Sequence, residues 1–200
     1  MPSLVSRGAD CPAHNQGLDS VSRLRFLIAL SVALPLVLGS TVSASAAASS
    51  KPSQQRTERA FVQSLLLEIN VVREKHSLRP LRVGPALRRA ADQHDLEMGR
   101  MGYFSHTSAN GTDFSGRLER YYPSRGTRFW SVGENLLWSG SNLTPRAAVR
   151  VWMRSPPHRA NLLRRDWRQI GIAAYRITSA PGYFGHRRIW LLTADFGVRY

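Results

Sequence analysis

One α+β domain is what this sequence predicts, and three observations predict it. Helical apolar periods run through the middle of the chain, from Phe61 to Trp152. Strand-like apolar runs close it, from Ile170 to Phe196. The 200 residues are 42% apolar, enough for one packed core. Helices first and strands last, in one small domain, suit layered α+β architecture.

The elements follow in order. Lys51 to Arg59 is polar and opens a helix whose buried face is Phe61, Leu65, Ile69 and Val72, at helical spacing. His76 to Pro80 ends it, because a residue before proline avoids the helical region. Gly84-Pro85 starts a second helix with proline at its first position. Its face is Leu87, Ala90, Ala91, His94 and Met98, and Gly99 and Gly102 close it. Asn110-Gly111 is a turn signal. Asp113 caps a short helix carrying Phe114, Leu118 and Tyr121, which Pro123 stops. Thr144-Pro145 opens a fourth helix with Ala148, Val151 and Trp152 inward, and Ser155-Pro156-Pro157 stops it. Ile170, Ile172 and Ala174 alternate as in a strand, and Ile189 to Phe196 reads as a buried strand. Pro181-Gly182 and Gly185 make these two a hairpin with a loose tip, and a third strand is expected through Arg128 to Val132.

Residues 1–48 read as a secretory leader. Arg23 and Arg25 precede a 13-residue apolar run, Phe26 to Leu38, and Ala44-Ser45-Ala46 and Ala46-Ala47-Ala48 offer cleavage signals. Thirteen helical residues span about 20 Å, short of a roughly 30 Å hydrocarbon core. No cysteine stands in the Ala/Ser segment and no Arg pair precedes the run, so the general secretory route is expected rather than a lipoprotein anchor or twin-arginine export. Residues 1–20 are polar and stand ahead of that basic region, which leaves a start near Val21 open. Residues 49–60 are then a linker, and 61–200 the domain. Cys11 is the only cysteine, so disulfides, cysteine-based zinc knuckles and iron–sulfur clusters are excluded.

From Ser49 onward the chain carries 25 Lys+Arg and 11 Asp+Glu, a net charge of +14. Only Lys51 and Lys75 are lysines; the other cations are arginines, which fork onto carboxylates and phosphates. Such a surface suits an anionic wall polymer or lipid, although the charges are spread and form no block. Nucleic acid is not an expected partner: His158 and Asn161 stand three apart among arginines, but no denser His/Asp constellation accompanies them.

Three short stretches carry candidate chemistry: Gly102 to His106, Gly133-Glu134-Asn135-Leu136, and Ser155 to Leu162. Each sets an ionisable residue beside glycine, proline or aromatic residues at an expected loop or element end. None matches a metalloprotease helix, a nucleophile elbow or a phosphate loop. Their ionisable members, His106, Glu134 and His158, leave three roles open. Two imidazoles and a carboxylate can hold zinc and leave a position for water, which the metal would acidify for hydrolysis. Without metal, Glu134 can orient a histidine as a general base, but no nucleophile is marked, Ser105 and Ser155 being the serines at hand. Or all three hydrogen-bond loop backbone and fix the cleft walls. Asn135 and Asn161 are expected to tie down backbone, His94 to be a satisfied core or boundary histidine, and the five tryptophans to form core or cleft wall.

Taken together, these stretches resemble a known family. In order they are Ile69-Asn70 with Arg73, Leu78 to Leu81, Leu87 to Ala91, Tyr103-Phe104-Ser105-His106, Gly133-Glu134-Asn135, Trp152-Met153 leading into Ser155 to Leu162, Ile170-Gly171-Ile172, and Asp195-Phe196-Gly197. This order closely resembles the bacterial branch of the CAP superfamily, the cysteine-rich secretory, antigen 5 and pathogenesis-related-1 proteins with SCP domains, over about Phe61 to Tyr200.

The resemblance implies an α-β-α sandwich with a central antiparallel sheet and a cleft. It implies two histidines and two acids in that cleft, able to hold a divalent cation such as zinc. His106, Glu134 and His158 fall on matching positions; the second acid would fall at Ser155, so three of the four are present. The expectation is a secreted, monomeric domain, extracellular or wall-associated, that binds a ligand or cation in its cleft. Candidate partners are lipid, peptide or anionic cell-wall polymer. The alternatives are a metal-assisted, peptidase-like hydrolase using the same three residues, and a basic adhesion module.

Overall fold

Phe61, Leu65 and Ile69 are buried along one side of α1 (Ser45–Lys75), the face the periodicity predicts. The computed structural model describes residues 45–140 and 142–200, with side chains from Ser53 onward. The expected leader, with Cys11, lies outside the described residues apart from the backbone of its last four positions. The stretch 49–60, expected as a linker, is helical and continuous with α1. Gln54 donates to the Arg176 carbonyl at 2.8 Å and Glu58 accepts the Arg176 N–H at 2.9 Å, so polar contacts dock that segment onto the sheet.

The remaining elements are β1 (Arg82–Val83), α2 (Pro85–Met101), α3 (Phe114–Tyr121), β2 (Trp130–Gly140), α4 (Pro145–Arg154), α5 (Pro156–Leu163), β3 (Gln169–Ala180) and β4 (Arg187–Arg199). The sheet order is β1-β3-β4-β2. The three long strands are antiparallel, while the two-residue β1 pairs parallel with β3, so the sheet is mixed. Helices α1, α4 and α5 form one layer on it, and α2 and α3 the other. This is the α-β-α arrangement implied by the resemblance.

Strand alternation separates the two cores. Ile170, Ile172, Leu192 and Phe196 pack with Leu65, Ile69, Trp152 and Trp167 on the α1 side. On the other side Leu191 and Ile189 pack with Met98 and Leu136, and Leu87 with Leu118 and Tyr122. The α2 backbone lies directly on β3: a Cβ at Gly171 would stand 2.1 Å from the Leu87 carbonyl carbon, so only glycine permits that approach.

Several local expectations change. The hairpin tip is not loose: Gly182–Phe184 is a 3₁₀ turn, Phe184 is fully buried, and Tyr183 N–H donates to Gly102 O at 2.8 Å. Val151 is 45% exposed, because the buried face of α4 is Ala148, Val149 and Trp152. The third strand reaches from Trp130 to Gly140, well past Val132, so Glu134 stands inside a strand rather than at an element end. Pro156, expected only to stop α4, also opens α5 at the position where a missing N–H costs nothing.

Arg73 joins the α1 layer together. It is fully buried, donating from Nε to Arg79 O at 2.9 Å and from Nη1 to Leu162 O at 2.7 Å and Arg164 O at 3.1 Å. The Leu162 and Arg164 carbonyls end α5, the helix that carries His158, so the guanidinium anchors one wall of the candidate site.

Candidate functional site

β2 is an edge strand, and the site straddles that edge. Even-numbered residues of β2 face the α2–α3 layer, and odd-numbered ones face α5. Glu134 therefore points one way and Asn135 the other. Gly133 is required between them and the α5 side: a Cβ there would stand 2.9 Å from the Trp167 ring and 3.0 Å from Asn161 Oδ1. The edge carbonyls are covered by side-chain donors. Asn161 Nδ2 donates to Glu134 O at 3.1 Å, and Trp152 Nε1 to Leu136 O at 3.0 Å. Covering them blunts the edge that would otherwise pair with another chain.

His106 arrives from the loop between α2 and α3. Buried His94 holds that loop through a 2.9 Å contact from Nε2 to Ser105 O, in keeping with the core role expected of it. The loop closes on itself through Ser108 N–H to Thr112 O at 2.8 Å, with Gly111 supplying the positive φ of 83°. His158 comes from the first turn of α5. Its carbonyl accepts from Asn135 Nδ2 at 3.0 Å, and Asn161 Nδ2 also donates to Asn135 Oδ1 at 3.0 Å. Asn135 and Asn161 thus tie backbone to backbone, as their residue type suggests.

The centre is Glu134, whose side chain is fully buried. Its Oε1 accepts from His106 Nδ1 at 2.7 Å. Its Oε2 accepts a short charge-assisted bond from Arg117 Nη2. Arg117, only 3% exposed, also donates from Nη1 to Ser108 Oγ at 2.9 Å and to His106 O at 3.2 Å. One guanidinium therefore fixes both the carboxylate and the loop carrying its histidine. Burial alone would push the Glu134 carboxyl up; the bond from His106 and the charge of Arg117 together hold it below the usual range. An ionised Glu134 accepting from Nδ1 selects the tautomer of neutral His106 in which Nε2 is the bare acceptor. The His106 side chain is 42% exposed, so the ring remains accessible.

His158 is half-buried and its Nδ1 is buried without a hydrogen-bond partner. Burial, then the nearby His106, holds its imidazole below the usual pKa. Among the described residues no three His, Cys, Asp or Glu side chains group closely enough to hold a metal ion, and both oxygens of Glu134 are engaged. Ser105 Oγ accepts from Thr107 N–H at 3.1 Å, and no hydroxyl is hydrogen-bonded to either imidazole among the described residues.

Sequence reasoning named His106, Glu134 and His158, and the structure brings His106 onto Glu134 with His158 close by. It missed Arg117, which was not singled out on the short helix carrying Phe114, Leu118 and Tyr121. The available signal was its position: Arg117 sits beside Leu118 on the inward face of α3. It also missed two buried acids behind the site. Asp195 pairs with Glu134 across the β2–β4 ladder, and neither of its carboxyl oxygens accepts from a donor among the described residues. Asp95 on α2 accepts from Thr193 Oγ1 at 2.5 Å.

Comparison with known proteins places this geometry. The model of the CAP family, described as the cysteine-rich secretory protein family, matches residues 66–190. The uncharacterized protein YkwD of Bacillus subtilis is 28% identical over 132 residues, covering 66% of this chain and 45% of that protein. The uncharacterized membrane protein YlbC of the same organism is 32% identical over 107 residues, covering 54% of this chain and 29% of that protein. The chain thus spans less than half the length of these curated relatives. Among solved structures, an outer surface protein of Borrelia burgdorferi superposes with a TM-score of 0.59 at 23% identity, covering 70% of this chain and 94% of that one. An extracellular SCP-domain protein of Bacillus anthracis superposes with a TM-score of 0.54 at 24% identity, covering 72% and 42%. At these identities the two structures establish the shared fold.

Proposed function

The chain belongs to the CAP family, and from that premise we propose that it is a secreted binding module whose cleft takes a divalent cation on the imidazoles of His106 and His158. The observation that carries this reading is the commitment of Glu134 to Arg117 and His106. Glu134 acts as the partner of a ligand, holding His106 Nδ1–H so that Nε2 faces outward as a donor of its lone pair. A cation such as zinc accepts neutral imidazole nitrogens and completes its shell with water or the bound ligand.

Binding is favoured over hydrolysis because neither imidazole is aligned with a hydroxyl among the described residues. Glu134, engaged at both oxygens, is not placed as a general base. The natural ligand carried on that cation is drawn from the lipid, peptide and anionic wall-polymer classes that a basic extracellular domain meets. The apolar run at Phe26 to Leu38 supports secretion, and among the described residues no helix is long and apolar enough to cross a membrane.

Calorimetric titration of zinc into the metal-stripped full chain near neutral pH tests the proposal. One-to-one binding is expected, lost in His158→Ala and weakened about 10–100-fold in Glu134→Gln. Absence of binding in the parent, or binding indifferent to His158→Ala, contradicts it.

A further inference from the structure

A second concavity lies on the α1 side of the sheet, over the hairpin ends of β3 and β4. It is an open trough of about 290 Å³, and none of His106, Glu134 and His158 lines it. At roughly 30 Å³ per water it holds about ten waters, room for a small anion and the groups attached to it. Its described walls are polar throughout. Ser53, Gln54 and Thr57 come from α1, and Arg176, Thr178 and Arg188 from the strands. No carboxylate lines it among the described residues.

Strand register brings the two arginines together. Arg176 pairs with Trp190 and Ile177 with Ile189, and the next pair is Ala180 with Arg187. Thr178 and Ser179 therefore both oppose Arg188, a bulge of the kind that re-aims side chains. Arg176 and Arg188 are diagonal neighbours, about 7–8 Å apart at their backbones and within reach of each other for long side chains. Both share the face of Trp190, whose ring stacks on Phe61 of α1 at 4.4 Å. Arg188 is exposed and Arg176 half-buried, and neither guanidinium makes a hydrogen bond or ion pair among the described residues. Exposed Thr178 adds a hydroxyl that is equally uncommitted among them. Glu58, one turn along α1 from Gln54, is not a lining residue; its Oε1 accepts from Gln54 Nε2 at 3.1 Å and from the Arg176 N–H at 2.9 Å. Those bonds hold the helix wall against the strand wall.

We propose that this trough binds a phosphate group carried on a water-soluble molecule, with the phosphate oxygens on the Arg176 and Arg188 guanidiniums and the Thr178 hydroxyl. Two planar forks from different strands, joined by a hydroxyl donor, suit the three oxygens of a phosphoryl group; a planar carboxylate would satisfy one fork and leave the other idle. The walls carry no apolar side chain to enter a lipid phase, which favours a soluble carrier over a membrane surface. The site needs no residue of the imidazole pair and stands apart from the cation reading.

The test is titration of the full chain with inorganic phosphate, glycerol 3-phosphate and acetate, followed by the ¹⁵N–¹H resonances of Arg176 and Arg188 Nε, with co-sedimentation on phosphatidylglycerol vesicles alongside. Phosphate or its ester is expected to shift both resonances saturably, and the tighter of the two tells free phosphate from an ester. Acetate is expected to bind about tenfold more weakly. Arg176→Gln and Arg188→Gln are each expected to weaken phosphate binding by about tenfold. Arg150→Gln removes the same charge from an exposed position on α4 outside the trough, and is expected to leave binding unchanged. Equal binding of acetate, or an equal loss in Arg150→Gln, would overturn the site in favour of diffuse charge attraction. Vesicle binding that needs Arg188, with no response to either soluble phosphate, would overturn the soluble carrier in favour of a membrane. No shift and no sedimentation would overturn the site outright and leave the zinc titration unaffected.

Discussion

Glu134 and Asp195 face each other across one rung of the sheet, both fully buried, yet their surroundings push them in opposite directions. Glu134 accepts from His106 and Arg117 and is held below the usual carboxylate range despite its burial. Asp195 accepts from no donor among the described residues; burial, then the neighbouring Glu134 charge, drives its carboxyl well above that range, and the protonated acid is within hydrogen-bond reach of Glu134. Burial is common to both and favours the proton in each, so it does not explain the difference between them. The partner does. One side of the rung is an ionised carboxylate that organises a site. The other is a neutral acid that keeps its proton because burial and the Glu134 charge beside it outweigh the pull of Arg117.

The strongest way to break the contrast is to remove the partner. Arg117→Met strands the Glu134 charge and is expected to cost about 3–5 kcal/mol, read by chemical denaturation. Adding Glu134→Leu removes the stranded charge, and the double variant is expected to recover most of the loss. A double variant as unstable as Arg117→Met would show that Arg117 acts through the loop and Ser108 instead.

The two acids also predict opposite pH slopes. Glu134, depressed in the folded state, contributes stability that is present above its unfolded pKa and lost as pH falls through its lower folded pKa. Asp195 and Asp95, raised by burial, hold protons that the unfolded chain releases, so stability falls as pH climbs from about 4 toward their folded pKa values. Each retained proton contributes a slope of about 1.4 kcal/mol per pH unit. Asp195→Asn is expected to flatten the decline above about pH 4 by up to that amount, seen in urea midpoints. An unchanged slope would place an ionised Asp195 in the parent.

The smallest effect is expected at His94. Burial holds its imidazole low, so the folded state keeps it neutral while the unfolded chain protonates near pH 6.5, and stability declines as pH falls below that. His94→Gln is expected to lose about 1 kcal/mol at neutral pH, through the Ser105 contact, and to remove that acid-side decline. Thermal melts at two pH values suffice to check it.

What was legible in the sequence follows the same division. His106, Glu134 and His158 were found because each sits in a motif with an unusual local composition. The helical faces of α1 and α2 were found because helical periodicity reports one-sided burial. Arg117 and Asp195 were not, because a buried charge looks like any other charge until its partner is known, and the partners come from other elements. Glu134 itself was expected at an element end: Gly133-Glu134-Asn135 reads as a turn, and only the glycine's contact with Trp167 and Asn161 explains it within a strand. The two-residue β1 lies below what periodicity can register. The loose hairpin tip was misjudged because Phe184 is buried by α2 and its following loop, a contact remote in sequence.

The most direct measurement is ¹³C NMR of the side-chain carboxyls of Glu134 and Asp195 in the full chain near pH 6. The account predicts a carboxylate shift for Glu134 and a protonated-acid shift for Asp195, with Arg117→Met moving Glu134 toward the acid form. Two carboxylates in the parent, or a protonated Glu134 beside an ionised Asp195, would contradict it.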